Sequence, residues 1–242
     1  MTSRALAPAL ALALLAGAVL RFATLDAQSL WYDEAVTAQL LQMDLRGMLG
    51  AIPDSESTPP LYYVLAWLWT QLFGTGEAGM RSLSALLGTA TIAVAWALGR
   101  RLGGTRAGLA GAALVAFNPL LVWFSQEARA YSLLALLGAL SALLWLRALE
   151  DDGVGPGSPD PRRPEDDRTP NPPTLGRHHT RLLAWGAVAA LALATHYYAI
   201  FLVAPQGLWL ALRAPGLRER ATALSLPLAA GAALVPLALH QR

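Results

Sequence analysis

Two adjacent carboxylates, Asp33 and Glu34, follow a Trp-Tyr pair in the stretch SLWYDEA, Ser29 to Ala35, just beyond an apolar segment. A carboxylate held just outside a hydrocarbon layer can act as general base toward a water-soluble reactant while a second reactant is anchored there by a lipid tail. A plainer reading competes, in which Asp33 caps the following helix and Glu34 sits against its positive N-terminal dipole. A second charged group, Glu127-Ala128-Arg129, lies in WFSQEARAYS, Trp123 to Ser132, between apolar runs. Opposite charges there are costly at membrane depth unless paired or solvated. They form either an ion pair that fixes the turn, or a site in which Glu127 orients an acceptor and Arg129 binds an anion. Arg81, at the start of an apolar run, is placed either to meet a phosphate or to snorkel to the interface; for Arg21, similarly placed, snorkelling is favoured. Trp31, Tyr32, Tyr131, His196 and Tyr197 are candidates to line a sugar or headgroup site, with an interfacial aromatic belt as the rival reading.

The elements that must position these residues are apolar. Of 242 residues, 55% are hydrophobic and 14% charged, and the apolar ones come in long blocks, which indicates an all-α polytopic membrane bundle. There is no cysteine, so disulfides and thiolate metal sites are absent. All 18 basic residues are Arg, which removes lysine chemistry. The Arg side chains fall in short loops, a topological rather than nucleic-acid-binding pattern, and no nucleic acid partner is expected. Arg4 followed by an apolar run suggests a signal peptide, but the run is too long for one and reads as an uncleaved first span.

About seven spans are expected, near 5–24, 82–99, 107–124, 132–149, 181–196, 197–212 and 222–240. Each of the longer ones approaches the ~20 residues that cross ~30 Å of hydrocarbon. Thr195-His196-Tyr197-Tyr198 divides the continuous stretch 182–212 into a hairpin. LYYVLAWLWTQLF, Leu61 to Phe73, is too short to cross and is rich in Trp and Tyr, so it reads as interfacial; Thr58-Pro59-Pro60 sets its rigid start. Charge agrees. With a cytoplasmic N-terminus and no crossing at 61–73, 13 Arg lie inside and only Arg21, Arg46, Arg81, Arg129 and Arg242 lie at the outer face.

Residues 25–80 then form one extracytoplasmic loop with two interfacial helices, about 33–52 and 61–73, carrying seven acids against Arg46. The turn around Glu127 and the hairpin tip at His196 come out on the same face. Residues 150–180 hold seven prolines among charges and read as a disordered cytoplasmic linker, in which His178 and His179 receive no role. GRRLGGTRAG, Gly99 to Gly108, lacks a phosphate-binding pattern and reads as a short basic turn.

SLWYDEA, TPPLYYVLAWLW, GEAGMRSLSALLGTATIAVAWALGRRLGG and FNPLLVWFSQEARAYSLLALL resemble, in that order, the N-terminal half of bacterial GT-C glycosyltransferases. The similarity is to the protein O-mannosyltransferase and aminoarabinose transferase branch, glycosyltransferase family 39 in the broad sense, over most of residues 10–215. It implies a polyprenyl-phosphate-linked sugar donor, a protein, lipid or polysaccharide acceptor, and transfer on the extracytoplasmic side of the cell membrane. It matches Asp33 to the family's catalytic carboxylate, Glu34 to the neighbouring acid and Glu127 to the second-loop acid. Relatives often carry His-Pro-Pro where this chain has Thr58-Pro59-Pro60, so no histidine role transfers. Relatives also run to about twice this length, so residues 1–242 are expected to be a single GT-C module truncated at its C-terminus.

The expected mechanism has Asp33 deprotonating an acceptor that attacks the anomeric carbon with inversion, while Arg129 and Arg81 stabilise the leaving phosphate. Some GT-C relatives use a divalent metal, but no ligand spacing here is diagnostic, and no metal or other cofactor is expected. The rival class is a transporter or flippase of lipid-linked precursors. It predicts charges near the midplane and repeat symmetry, and the sequence shows neither.

Overall fold

The computed structural model describes residues 3–149, 175–213 and 216–241. The chain forms α1 (Ser3–Phe22), α2 (Tyr32–Leu41), α3 (Leu45–Ser55), α4 (Leu61–Phe73), α5 (Glu77–Phe117), α6 (Pro119–Ser125), α7 (Tyr131–Leu149), α8 (Leu175–Thr195), α9 (Ile200–Arg213) and α10 (Leu217–His240), with no strand among the described residues. α5, α7 and α10 are each long and apolar enough to cross a membrane, and α1 has a shorter apolar stretch, Ala7–Phe22. Large apolar side chains face outward along these helices, among them Leu12, Leu15, Leu114, Leu228 and Val235. An apolar exterior on this scale suits hydrocarbon, not water. This is an all-α membrane bundle.

α5 is not one rod. Gly103 and Gly104 leave helical geometry, with Gly104 at φ 76, a left-handed conformation that favours glycine. Beyond this turn the second arm packs back on the first so closely that a Cβ on Gly99 would stand 2.6 Å from the Ala107 carbonyl oxygen. The turn expected at Gly99 to Gly108 therefore closes a helical hairpin. Its second arm stops at Asn118, earlier than the expected end near 124, because Pro119 cannot continue the hydrogen-bond ladder and the Asn118 side chain caps α6 through the Leu121 amide. α8 and α9 form the second hairpin, split at a 3-10 turn over Tyr197–Ala199 where the sequence places the break. Its arms are tied inside by the fully buried Trp185, whose Nε1 donates to Gln206 Oε1 at 2.8 Å.

α4 has the expected bounds. Its Tyr62 meets Ser84, and Trp69, nearly two turns later, donates to Ser82, so α4 crosses the start of α5 rather than running alongside it. The single helix expected over 33–52 is two helices. Asp44 accepts from the Gly47 amide at 3.0 Å and starts α3 afresh. Arg21 does not snorkel. It is fully buried and donates to Ser125 Oγ and to the carbonyls of Gly17, Val115 and Ala116, two of which are free ends of the broken α5 ladder. Of the expected linker, residues 150–174 lie outside the described residues, and Leu175 to Thr180 already belong to α8.

α1 packs on α5, α5 on α7, α7 on α8 and α8 on α10. The alternation brings the end of α1, the starts of α5 and α7, the α8–α9 turn and the end of α10 to one end of the bundle. There α2, α3 and α4 lie across it.

Candidate active site

α2 begins at Tyr32 with Trp31 as its N-cap residue, so Asp33 falls within the first turn and not at the cap position. Successive residues on a helix point about 100° apart, and Asp33 and Glu34 accordingly have different surroundings.

Glu34 is fully buried. Oε1 accepts from Arg81 Nε and from the Ala128 amide, each at 2.8 Å, and Oε2 accepts from Arg81 Nη2 at 2.6 Å. Arg81 also donates to the carbonyls of Leu25, Gln28 and Ser29. This bidentate pair, with every strong donor matched, pins the α1–α2 connection and the 126–130 turn to the start of α5.

The Asp33 side chain remains 38% exposed, with Oδ2 3.8 Å from Arg129 Nη2. Arg129 is buried and its Nη1 reaches both oxygens of Glu56 at 2.9 Å, Thr37 Oγ1 at 3.2 Å and the Asp33 carbonyl at 3.4 Å. Burial raises the Glu56 carboxyl above its ordinary range and Asp33 adds to the rise, against lowering by Tyr63 and Arg129. Tyr63 also meets Thr58 Oγ1 at 3.0 Å, so Thr58-Pro59-Pro60 supports the Glu56 end of the cluster.

Asp33, Arg129, Glu56 and Tyr32 open on a cavity of about 410 Å³ between α2, α3 and the end of α10. Its rim is latched by His240 to Asp54 at 2.7 Å. Gln241 accepts from the Tyr197 hydroxyl at 2.7 Å, which ties the α8–α9 turn to the same rim. Trp31, Glu34, Arg81 and Glu127 instead border a second cavity of about 330 Å³ across α2. Burial also raises the Glu127 carboxyl, against the hydrogen bond it accepts from Trp123 Nε1. Tyr131 and His196 line neither cavity. The Tyr131 ring lies, tilted, between those of Phe124 and His196, and His196 accepts the Tyr198 amide through Nδ1, with burial and then the Arg129 charge lowering its imidazole below the ordinary value.

The site therefore joins candidates distant in sequence, Asp33 with Arg129 and Glu34 with Arg81. It also contains Glu56, Thr37 and Gln241, which sequence reasoning does not single out. The only signal for Glu56 is its place in an acidic run just before Thr58-Pro59-Pro60. A divalent metal does not fit the acids present. Asp33 and Glu56 both face the Arg129 guanidinium, which already supplies the positive charge between them, and among the described residues no group of three or more His, Cys, Asp or Glu is arranged to hold an ion.

The family model described as dolichyl-phosphate-mannose-protein mannosyltransferase matches residues 57–155. The matched segment begins just after Glu56 and contains Arg81, Glu127 and Arg129. No curated protein and no solved structure matches the chain. The family match supports a membrane glycosyltransferase of the GT-C type, the class that the ordered motifs resemble.

Proposed function

We propose that this GT-C glycosyltransferase moves a sugar from a polyprenyl-phosphate donor to an extracytoplasmic acceptor with inversion, with Asp33 as general base. The observation that carries the reading is the state of the acids around the larger cavity. Asp54 is drawn to His240 and Glu56 has both oxygens on Arg129, whereas Asp33 stands partly exposed beside a guanidinium without a close ion pair. In the reaction Asp33 removes the proton from an acceptor hydroxyl or amine. The acceptor atom bonds to the anomeric carbon as the carbon–oxygen bond to the lipid phosphate breaks, and the phosphate leaves with the bonding pair. Arg129 faces that developing charge through Nη2 while Glu56 and Thr37 hold Nη1.

Arg81 has a different part in this scheme. Its guanidinium is committed to Glu34 and three carbonyls, so it positions the loop and does not meet the phosphate. The charge asymmetry of the loops supports a cytoplasmic N-terminus, which puts the cavity on the extracytoplasmic side of a cell membrane.

The test is sugar transfer from a polyprenyl-phosphate donor in proteoliposomes. Asp33→Asn is expected to lower the rate by about 10²–10⁴-fold with unchanged expression. Undiminished transfer by that variant sinks the base assignment. A cysteine placed at Ser158 is expected to resist impermeant reagents on intact cells, and labelling from outside overturns the topology.

A further inference from the structure

The two ends of the bundle treat their cations differently. At the active-site end, Arg81 and Arg129 each hold a carboxylate of the chain itself. The other end gathers the Gly103-Gly104 turn, the end of α7, the start of α8, the end of α9 and the start of α10. Among the described residues Glu219 is the one acid there, and no carboxylate lies within ion-pair distance of Arg100, Arg106, Arg147, Arg213 or Arg218.

Two of these side chains are braced in the same way on separate helices. The Arg213 guanidinium carbon lies 4.9 Å from the centre of the Trp209 ring, and that of Arg100 lies 5.1 Å from the centre of the Trp96 ring. Trp145 of α7 meets Trp209 edge to face, which ties that pair to the bundle. Stacking on an indole fixes the plane of a guanidinium and leaves its N–H edge open to a phosphate. Both Arg100 and Arg213 are exposed, so that edge faces the surroundings. Beside them the surface is apolar. Leu208 and Leu212 stand exposed next to Trp209 and Arg213, and exposed Leu102 follows Arg100. A soluble acidic segment complements the charges but not the leucines. A phospholipid complements both, with acyl chains on the apolar side chains and its phosphate at the guanidinium. A headgroup of net negative charge is favoured over a zwitterionic one, because an ammonium group is repelled by the cluster of arginines.

We propose that this end of the bundle binds anionic phospholipid, with Arg100 and Arg213, each stacked on its indole, as the phosphate contacts and Arg106, Arg147 and Arg218 as supporting charge. The binding depends neither on the transfer reaction proposed above nor on which side of the membrane the larger cavity faces. Lipid held there anchors the first arm of α5 and the end of α9 at headgroup level. Asp33, at the opposite end, is not touched.

Native mass spectrometry of the full chain in detergent, offered equal amounts of dioleoylphosphatidylglycerol and dioleoylphosphatidylcholine, tests the surface. Wild-type adducts are expected to favour phosphatidylglycerol about five-fold or more, the worth of one basic residue near an anionic surface. Arg100→Gln combined with Arg213→Gln is expected to bring the ratio close to one, with melting unchanged because both side chains are exposed. Arg100→Lys combined with Arg213→Lys keeps the charges and is expected to keep more than half of the preference. Arg46→Gln, exposed at the active-site end, is expected to keep all of it. No preference in the wild type, a preference that the glutamine pair leaves intact, or equal losses in the glutamine and lysine pairs overturn the proposal. A preference that emerges only after the seven acids of residues 150–167 are replaced by amides assigns the surface to the chain's own acidic segment and overturns the lipid reading.

Discussion

Asp33 and Glu34 share a peptide bond, yet one keeps 38% of its side chain exposed to a cavity while the other is wholly buried against Arg81. The first turn of α2 thus has an open side and a buried side. On the buried side, every oxygen of Glu34 is matched and the carboxylate fastens three chain segments together. On the open side, the cation that Asp33 faces is held mainly by Glu56, so Arg129 is fixed in place without closing over Asp33. A carboxylate can hold a fold together or remain available to a substrate, and here adjacent residues divide the two tasks.

Exchanging the environments of the two acids gives the largest expected effect. Glu34→Gln leaves the buried Arg81 charge uncompensated and is expected to cost about 3–5 kcal/mol, read as loss of folded protein in detergent. Asp33→Asn is expected to melt within about 0.5 kcal/mol of wild type. A double variant, Glu34→Leu with Arg81→Met, removes both charges and is expected to recover most of the lost stability. Equal melting of the two single variants breaks the division of tasks.

Next in size is Glu56→Gln, which loosens Arg129 while leaving Asp33 in place. Transfer is expected to fall by up to about 10²-fold, as for a misplaced catalytic group, with melting changed much less than by Glu34→Gln. An unchanged rate removes Glu56 from the site.

Glu127 sharpens the comparison through pH. Its folded-state carboxyl titrates above the ordinary value of 4.5, so the folded state binds more protons than the unfolded state as pH rises past that value, and stability falls. Glu127→Gln has no proton to lose. It is expected to melt higher than wild type at pH 8, with the gain shrinking to nothing as pH falls toward 4.5 in a thermal denaturation series. A gain independent of pH contradicts the burial of the ionisable form. The smallest effect belongs to the rim. His240→Ala breaks an exposed pair with Asp54 and is expected to shift stability by no more than about 1 kcal/mol, checked by the same melts.

Much of the architecture is legible in the chain itself. The bounds of α4, the break at His196 and the turn at Gly103-Gly104 follow from short-range signals such as an apolar run between prolines and glycine, a polar aromatic group inside an apolar stretch, and a glycine pair among arginines. Local signals also mislead where a capping side chain outweighs helical periodicity. Asp44 restarts the helix within 33–52, and Asn118 with Pro119 ends the second arm of α5 early.

The charged residues follow a different logic. By itself the sequence determines that Asp33, Glu34, Arg81, Glu127 and Arg129 sit at helix ends, because hydrocarbon-length apolar blocks leave charges nowhere else. It does not determine which charge meets which. Arg81 goes to Glu34 rather than Glu127, Arg129 to the unremarked Glu56, and Arg21 inward to carbonyls rather than outward to the interface. Those choices depend on how far each helix is rotated and how the helices order around the bundle, quantities fixed by packing between segments 50 to 100 residues apart. The tertiary structure alone therefore decided that, of two adjacent carboxylates, one opens on a cavity and the other is buried against Arg81.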